Sequence, residues 1–406
     1  MKNLWTVLPP LLSDNSGLTE VVKNSDGCAV VDDSGDIRPG GGHVQKGRMD
    51  GGRREHGGHG GRGERAGHAG HGGRGGHGGG KGGSARVIVS GASTQDVTTG
   101  TRDALMNAFQ SARLRYDPSF VLLSAGPCGA MIGTDLKEIA ETITGEYHIP
   151  AAAVDLTGQK PYDTGISKTI EAMARLLAGP GEVRPGTLNI LGATTLDWAA
   201  ADVAAVSGWA EQQGWQVLAS PGTSVTAAQL TNMGRAQLNW AVTVSGLAAA
   251  RYLQSQFGTP FVAGAPFGAM QLDGLAARMQ SPCPPAPAQQ AGADALIIGE
   301  QFTANALRGA LERRGLCTGA DVATFYLLDK AFARSGDRRL KGEADARALL
   351  NSGKYRLIAA DPALRPLLSV DCAWIDLPHR AMTPYGDGSS LPLFGSRLDE
   401  WLDSRR

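Results

Sequence analysis

This 406-residue chain lacks a charge of either sign to spare, because 39 Lys and Arg face 39 Asp and Glu. A balanced chain has no global field to attract nucleic acid, so no nucleic-acid partner is expected. Nowhere does an apolar run reach the roughly 20 residues of a membrane-crossing helix, so no membrane partner is expected either. No secretion signal is expected, since the apolar stretch from Trp5 to Leu12 is short and broken by Pro9 and Pro10. Cysteine is scarce, and Cys28, Cys128, Cys283, Cys317 and Cys372 form no Cys-x-x-Cys and no paired spacing. That suits a reducing cytoplasm better than a disulfide framework. Nucleotide-binding motifs are missing too. No Walker A sequence occurs, and Gly299-Glu-Gln-Phe-Thr-Ala304 lacks the glycines that let a backbone approach a pyrophosphate.

Glycine and histidine, by contrast, are concentrated. Residues 41–83 hold 21 glycines and His43, His56, His59, His68, His71 and His77, with eight Lys or Arg against three acidic residues. With almost nothing apolar, such a segment cannot offset the entropy of ordering and is expected to be a disordered insertion. Imidazoles on a flexible chain can also gather around nickel, zinc or copper, so a metal-handling tract is the alternative to a solvated one.

Outside this tract, strand and helix alternate. The short apolar run Phe120 to Ser124 reads as a buried strand, and Leu136, Ile139, Ala140 and Ile143 recur at helical spacing between Asp135 and Tyr147. Between them lies Gly126-Pro-Cys-Gly129, which puts Cys128 in a glycine-rich turn at the carboxyl end of a parallel strand, where open α/β sheets hold ligands. A lone cysteine is more often a small core residue than a ligand. Further strands are expected at 86–90, 151–154, 187–191, 216–219, 295–299 and 373–377, and helices at 100–116, 165–177, 196–213, around 227–240, 246–257 and 302–314. Proline and glycine clusters at 179–186 and 281–287 punctuate the series. The resulting division is 1–40, the insertion 41–83, α/β units at 84–180, 185–280 and 290–380, and a tail with a helix at 381–406.

Several segments occur in an order that is itself informative: Leu8-Pro-Pro-Leu-Leu-Ser-Asp-Asn-Ser-Gly17, Gly27-Cys-Ala-Val-Val-Asp-Asp-Ser-Gly-Asp36, Val87-Ile-Val-Ser-Gly-Ala-Ser-Thr-Gln-Asp96, the Cys128 turn and Ile149-Pro-Ala-Ala-Ala-Val-Asp155. They continue through Arg235-Ala-Gln-Leu-Asn239, Gln256-Phe-Gly-Thr-Pro260, Leu296-Ile-Ile-Gly-Glu-Gln301 and Ile375-Asp-Leu-Pro-His379. The series resembles the nitrogenase component 1 family, which includes the large subunits of nitrogenase and of the dark-operative protochlorophyllide reductase, and it covers nearly the whole chain outside the insertion. The resemblance implies an α/β fold of three Rossmann-like parallel-sheet domains around a central cleft. It also implies an iron-sulfur cluster and two partners: a homologous component 1 subunit, and an iron-protein-like, ATP-dependent reductase.

Family members that bind a cluster usually supply three cysteines per subunit, of which this chain matches only Cys128. Thr19 falls where the first would be and Asp36 where the second would be, while Cys28 opens a strand and packs inside. Since a subunit of the protochlorophyllide reductase uses a carboxylate in a comparable place, the resemblance leaves Asp36 with Cys128 as a reduced ligand set for a cluster shared with a partner. Thr243 lies roughly where the nitrogenase cofactor-binding subunit has a cysteine, which argues against a molybdenum-iron cofactor and nitrogen reduction. Gly264-Ala-Pro-Phe-Gly268 and His379 are expected on loops facing the cleft, with His379 as a candidate proton donor or substrate contact beside the alternative of a capped loop histidine. Two functions follow as expectations. One is a nitrogenase-like reductase subunit, an oxidoreductase; the other is a non-catalytic scaffold, or a nickel- or zinc-handling protein using His56, His59, His68, His71 and His77.

Overall fold

The computed structural model describes residues 7–8, 10–34, 86–282, 292–382 and 393–404. Asp36, Cys283 and the whole Gly/His-rich tract lie outside the described residues.

Three parallel sheets build the protein. The first unit comprises α1 (Asp14–Val22), β1 (Cys28–Asp32), β2 (Val87–Val89), α2 (Thr94–Thr99), α3 (Arg102–Tyr116), β3 (Val121–Ala125), α4 (Pro127–Ile132), α5 (Leu136–Tyr147), β4 (Ala151–Ala153) and α6 (Tyr162–Leu177). Its strands lie in the order β2-β1-β3-β4, all parallel. Strand alternation sorts its apolar side chains. Cys28, Val30, Val121 and Leu123 face Leu105 and Phe109 of α3 and Ile139 and Ile143 of α5, while Ala29, Val31 and Leu122 join the larger core that contains α1 and α6.

The second unit runs β5 (Arg184–Leu191), α7 (Ala200–Gln212), β6 (Gln216–Ala219), α8 (Ala227–Thr231), β7 (Ala236–Ala241), α9 (Leu247–Phe257), β8 (Phe261–Ala263) and α10 (Ala269–Gln280), with strand order β6-β5-β7-β8. The third has β9 (Ala295–Ile298), α11 (Gln301–Arg313), β10 (Ala320–Thr324), β11 (Arg338–Arg339), α12 (Glu343–Leu350), β12 (Leu357–Ala360) and β13 (Ala373–Asp376), in the order β11-β10-β9-β12-β13. Helix α13 (Ser396–Asp403) then returns to the second and third units. Its Asp399 accepts from the amide of Ala269 and pairs with Arg314, and its Arg397 pairs with Asp202. No described helix is long and apolar enough to cross a membrane.

The segment 227–240 departs from the helix expected there. Helix α8 stops at Thr231, and Ala236–Ala241 is a strand hydrogen-bonded on both sides, to β5 and to β8. A central strand of a parallel sheet is buried on both faces, so its apolar run carries no two-residue alternation to distinguish it from a buried helix.

Helices α1 and α6 touch backbone to backbone. A Cβ on Gly17 would overlap the carbonyl of Tyr162, and one on Gly165 would overlap that of Asp14. Because both obstacles are backbone, the helices would have to separate. Gly17→Ala or Gly165→Ala should therefore cost about 1–3 kcal/mol or more in denaturant unfolding. Gly145→Ala, on an exposed turn of α5 with nothing within 4 Å of the new methyl, should instead add about 0.5–1 kcal/mol.

Candidate functional site

In each sheet the chain starts near the middle, winds to one side and then crosses to the other. The crevice at that reversal, outside the carboxyl ends of the strands, is where doubly wound sheets bind ligands. In the first sheet it lies between β1 and β3, whose last residues Asp32 and Ala125 stand in register. Here Asp32 is buried and accepts from Thr101 Oγ1 (2.6 Å), Thr134 Oγ1 (2.8 Å) and Ser90 Oγ (3.1 Å). Its carbonyl receives the amide of Gly126. Substituents on Gly126 and Gly129 would collide with Asp33 and Asp32 respectively, so the turn must be glycine to sit this close to β1. Cys128 follows in the first turn of α4, half-buried at the carboxyl end of β3. Beside it Asp33 is only 2 % exposed; Oδ1 accepts from the Ser34 amide at 2.7 Å, and Oδ2 has no well-aligned partner. Burial raises its pKa above the ordinary carboxylate value, against a smaller lowering by Ser34 and the nearby Cys128 amide.

The remaining expected ligands divide. Thr19 lies on α1 with its hydroxyl donated to the carbonyl of Asn15, while Asn15 clasps the end of β3 through the Ala125 carbonyl and Ser124 Oγ. Cys28 is fully buried in the first unit, and burial pushes its thiol up to about 12. Asp36 and His56, His59, His68, His71 and His77 fall outside the described residues. Among the described residues no group of three or more His, Cys, Asp or Glu could hold a metal. One half-buried thiol at this crevice is too few for a four-iron cluster, so the described residues around it do not by themselves fit one.

The crevices of the second and third sheets face each other. Thr243, after β7, spends its hydroxyl on the Gly192 carbonyl and on Ser245. The neighbouring Val244 amide donates to Glu300, which also caps α11 through Thr303. The Gly264–Gly268 loop follows β8 as expected; its Phe267 packs edge-on against Trp198 at 4.9 Å and bridges to Phe394 and Gly395.

His379 sits where all three units meet. Tyr162 of α6 donates to Asp197 Oδ1 at 2.6 Å, and having one proton it must accept from His379 Nε2 at 3.1 Å. On the other side, Nδ1 receives the Ala381 amide and the hydroxyl of Tyr326, both at 3.3 Å. The network thus assigns a neutral imidazole carrying its proton on Nε2. Tyr326 stacks on the ring at 4.8 Å, and the backbone amide of His379 donates to Asp361 after β12. Next along α6, Asp163 accepts from Leu327 of the third unit, and burial pushes its pKa up to about 7. Burial likewise raises Glu300, with Asp197 adding to the effect. The arrangement is a linear chain of proton donors and acceptors, Tyr326–His379–Tyr162–Asp197, with His379 only 8 % exposed. Of these residues the sequence marks out His379 alone, while Glu300 stands in one of the ordered segments without a role of its own. Tyr162, Asp163, Asp197 and Tyr326 carry no local signal.

Three parallel sheets joined at one buried junction define a class of multidomain α/β protein. The chain belongs to the nitrogenase component 1 type oxidoreductases, whose sequence profile matches residues 79–282. It is 27% identical over 191 residues to a light-independent protochlorophyllide reductase subunit from Rhodopseudomonas palustris (strain TIE-1), a match spanning 43% of this chain and 35% of that protein. Over 189 residues it is 27% identical to the corresponding protein of Rubrivivax gelatinosus (strain NBRC 100245 / IL144), covering 43% and 34%. The matched region is thus about a third of the length of these relatives. The fold is similar to that of a solved structure described as nitrogenase Cp1 at pH 6.5, with a TM-score of 0.68 and 11% identity over 100% of this chain and 93% of that one. A second, of nitrogenase Cp1 at pH 5, gives 0.57 and 13% over 89% and 81%.

Two outcomes test the junction. Removing the Tyr162 hydroxyl leaves buried Asp197 and His379 short of a partner, so Tyr162→Phe should cost about 1–3 kcal/mol in denaturant unfolding. Asp163 has a folded pKa near 7 against an ordinary value of 3.8, so the folded state holds the extra proton between those values. Stability should fall as pH rises from about 4 to about 7 and level off above, by at most about 1.4 kcal/mol for each pH step of one crossed. Asp163→Asn should flatten that slope; an unchanged slope would assign it to other groups.

Proposed function

We propose that this chain is one subunit of a nitrogenase-like two-component reductase. It would pair with a homologous component 1 subunit and be served by an ATP-dependent iron protein that supplies low-potential electrons for reduction of a substrate. Family membership supports the reaction class, and the half-buried Cys128 at the first crevice carries the reading. The surface around it supports a partner: Met131, in the same helix, is 85% exposed, and the nearby α2 buries none of its side chains. Any iron-sulfur cluster here would be shared, with Cys128 the thiol from this side, Asp36 the carboxylate, and the other thiolates from the partner subunit. His379 is the imidazole this chain would offer for proton supply, in a cytoplasmic enzyme complex. The second reading is a non-catalytic scaffold subunit, favoured by the one thiol at the first crevice, and the histidine tract would then be the seat of any nickel or zinc handling.

Anaerobic purification separates the two. The chain alone should carry little iron or acid-labile sulfide, and recovery of about four irons per monomer would overturn the shared-cluster reading. Co-expressed with a cysteine-complete homologous subunit, the complex should lose its reduced-cluster paramagnetic signal on Cys128→Ala and keep it on Cys28→Ala. Asp36→Ala should weaken or shift the signal, since water can partly replace an oxygen ligand. A signal indifferent to Cys128→Ala would leave this chain the scaffold.

A further inference from the structure

The outer edge of the second sheet, away from the junction, carries a concavity that the reductase reading does not use. Among the described residues, strand β8 ends that sheet and pairs only with β7. The ladder engages the Pro260 carbonyl and the Gly264 amide, and because facing alternates along a parallel strand, Val262 also bonds inward. The N–H groups of Phe261 and Ala263 therefore point to the open edge. A concavity of about 290 Å³ runs along this edge, with Pro260 to Ala263 as one wall, Ala331 and Phe332 of the third unit as another, and Arg251 and Arg278 among its lining residues.

Its walls are already set. The Phe332 ring is held edge-on by Phe302 at 5.0 Å. The Arg251 guanidinium is oriented by Asp329 through Nη1 at 2.6 Å, while the side chain stays 49% exposed. A guanidinium has five N–H donors in a planar fork, and one contact leaves Arg251 able to take a second carboxylate. Buried and half-buried backbone donors also require a partner. Apolar walls with a few converging donors, at a boundary between two units, are the usual make-up of a small-molecule site.

We propose that this edge concavity binds an amphipathic carboxylate, a small acid with an aromatic or aliphatic body. Its carboxylate is taken by Arg251, with the open-edge amides of β8 and Arg278 beside it, and its body lies against Phe332 and Val262. A neutral molecule of the same shape leaves the guanidinium without its anion. The proposal stands apart from the reductase reading, as it needs neither iron nor a partner subunit.

Titration calorimetry and ligand-observed NMR on the full chain test it, with cinnamate as the probe and cinnamyl alcohol as its neutral counterpart. Cinnamate should bind at least about tenfold more tightly than the alcohol, the effect of about one charge-assisted hydrogen bond. Arg251→Gln should remove that preference while leaving the thermal midpoint nearly unchanged, because the side chain is half-exposed. Phe332→Ala should weaken acid and alcohol alike. Equal binding of acid and alcohol by the unaltered chain, failure to bind cinnamate below about millimolar concentration, or cinnamate affinity indifferent to Arg251→Gln would each overturn the proposal.

Discussion

Two glycines facing each other let α1 and α6 meet through their backbones, and the centre of the molecule depends on where α6 is thereby held. Its first two residues, Tyr162 and Asp163, reach the second unit at Asp197 and the third at Leu327. A helix held a methyl's width further out would carry both side chains with it. The bonds at stake lie in a buried interior, where an unmade hydrogen bond costs more than a made one gains. The junction is therefore satisfied as a set.

The same winding rule places chemistry at three points. Each sheet opens a crevice at its reversal, and each crevice contains a buried carboxylate at or beyond the end of a strand: Asp32 ending β1, Glu300 after β9, Asp361 after β12, with Asp197 beyond β5. Most serve as acceptors for backbone amides or hydroxyls of the neighbouring loops, which locks those loops at the carboxyl ends of the strands. The first crevice differs. There Asp33 keeps an oxygen without a well-aligned partner next to the cysteine-bearing turn, and that crevice is the one that opens toward Cys128.

Much of the fold was legible because strands and helices here are short, alternating and punctuated by glycine and proline. The Cys128 turn was readable for that reason, since an apolar run, a glycine-rich break and a 3.6-residue periodicity follow one another within a few residues. Segment 236–241 was not, because burial on both faces removes the pattern that distinguishes strand from helix. The junction was largely invisible for a different reason. Tyr162 meets Asp197 across 35 residues and His379 across 217, and a single polar residue inside an apolar segment carries no spacing that announces its partner. Asp33 has no mark in the sequence that sets it apart, because only the fold reveals that its carboxylate lies against the turn.

Helix α13 comes after all three sheets in the chain, yet it reaches back to both the second unit and the third, through Asp202 and Ala269 on one side and Arg314 on the other. During synthesis the first two sheets can pair their strands before this helix exists, each unit collapsing on local contacts. The clasp can only arrive afterwards. What it brings is a second set of ties between two units that Val244–Glu300 and Arg251–Asp329 already join.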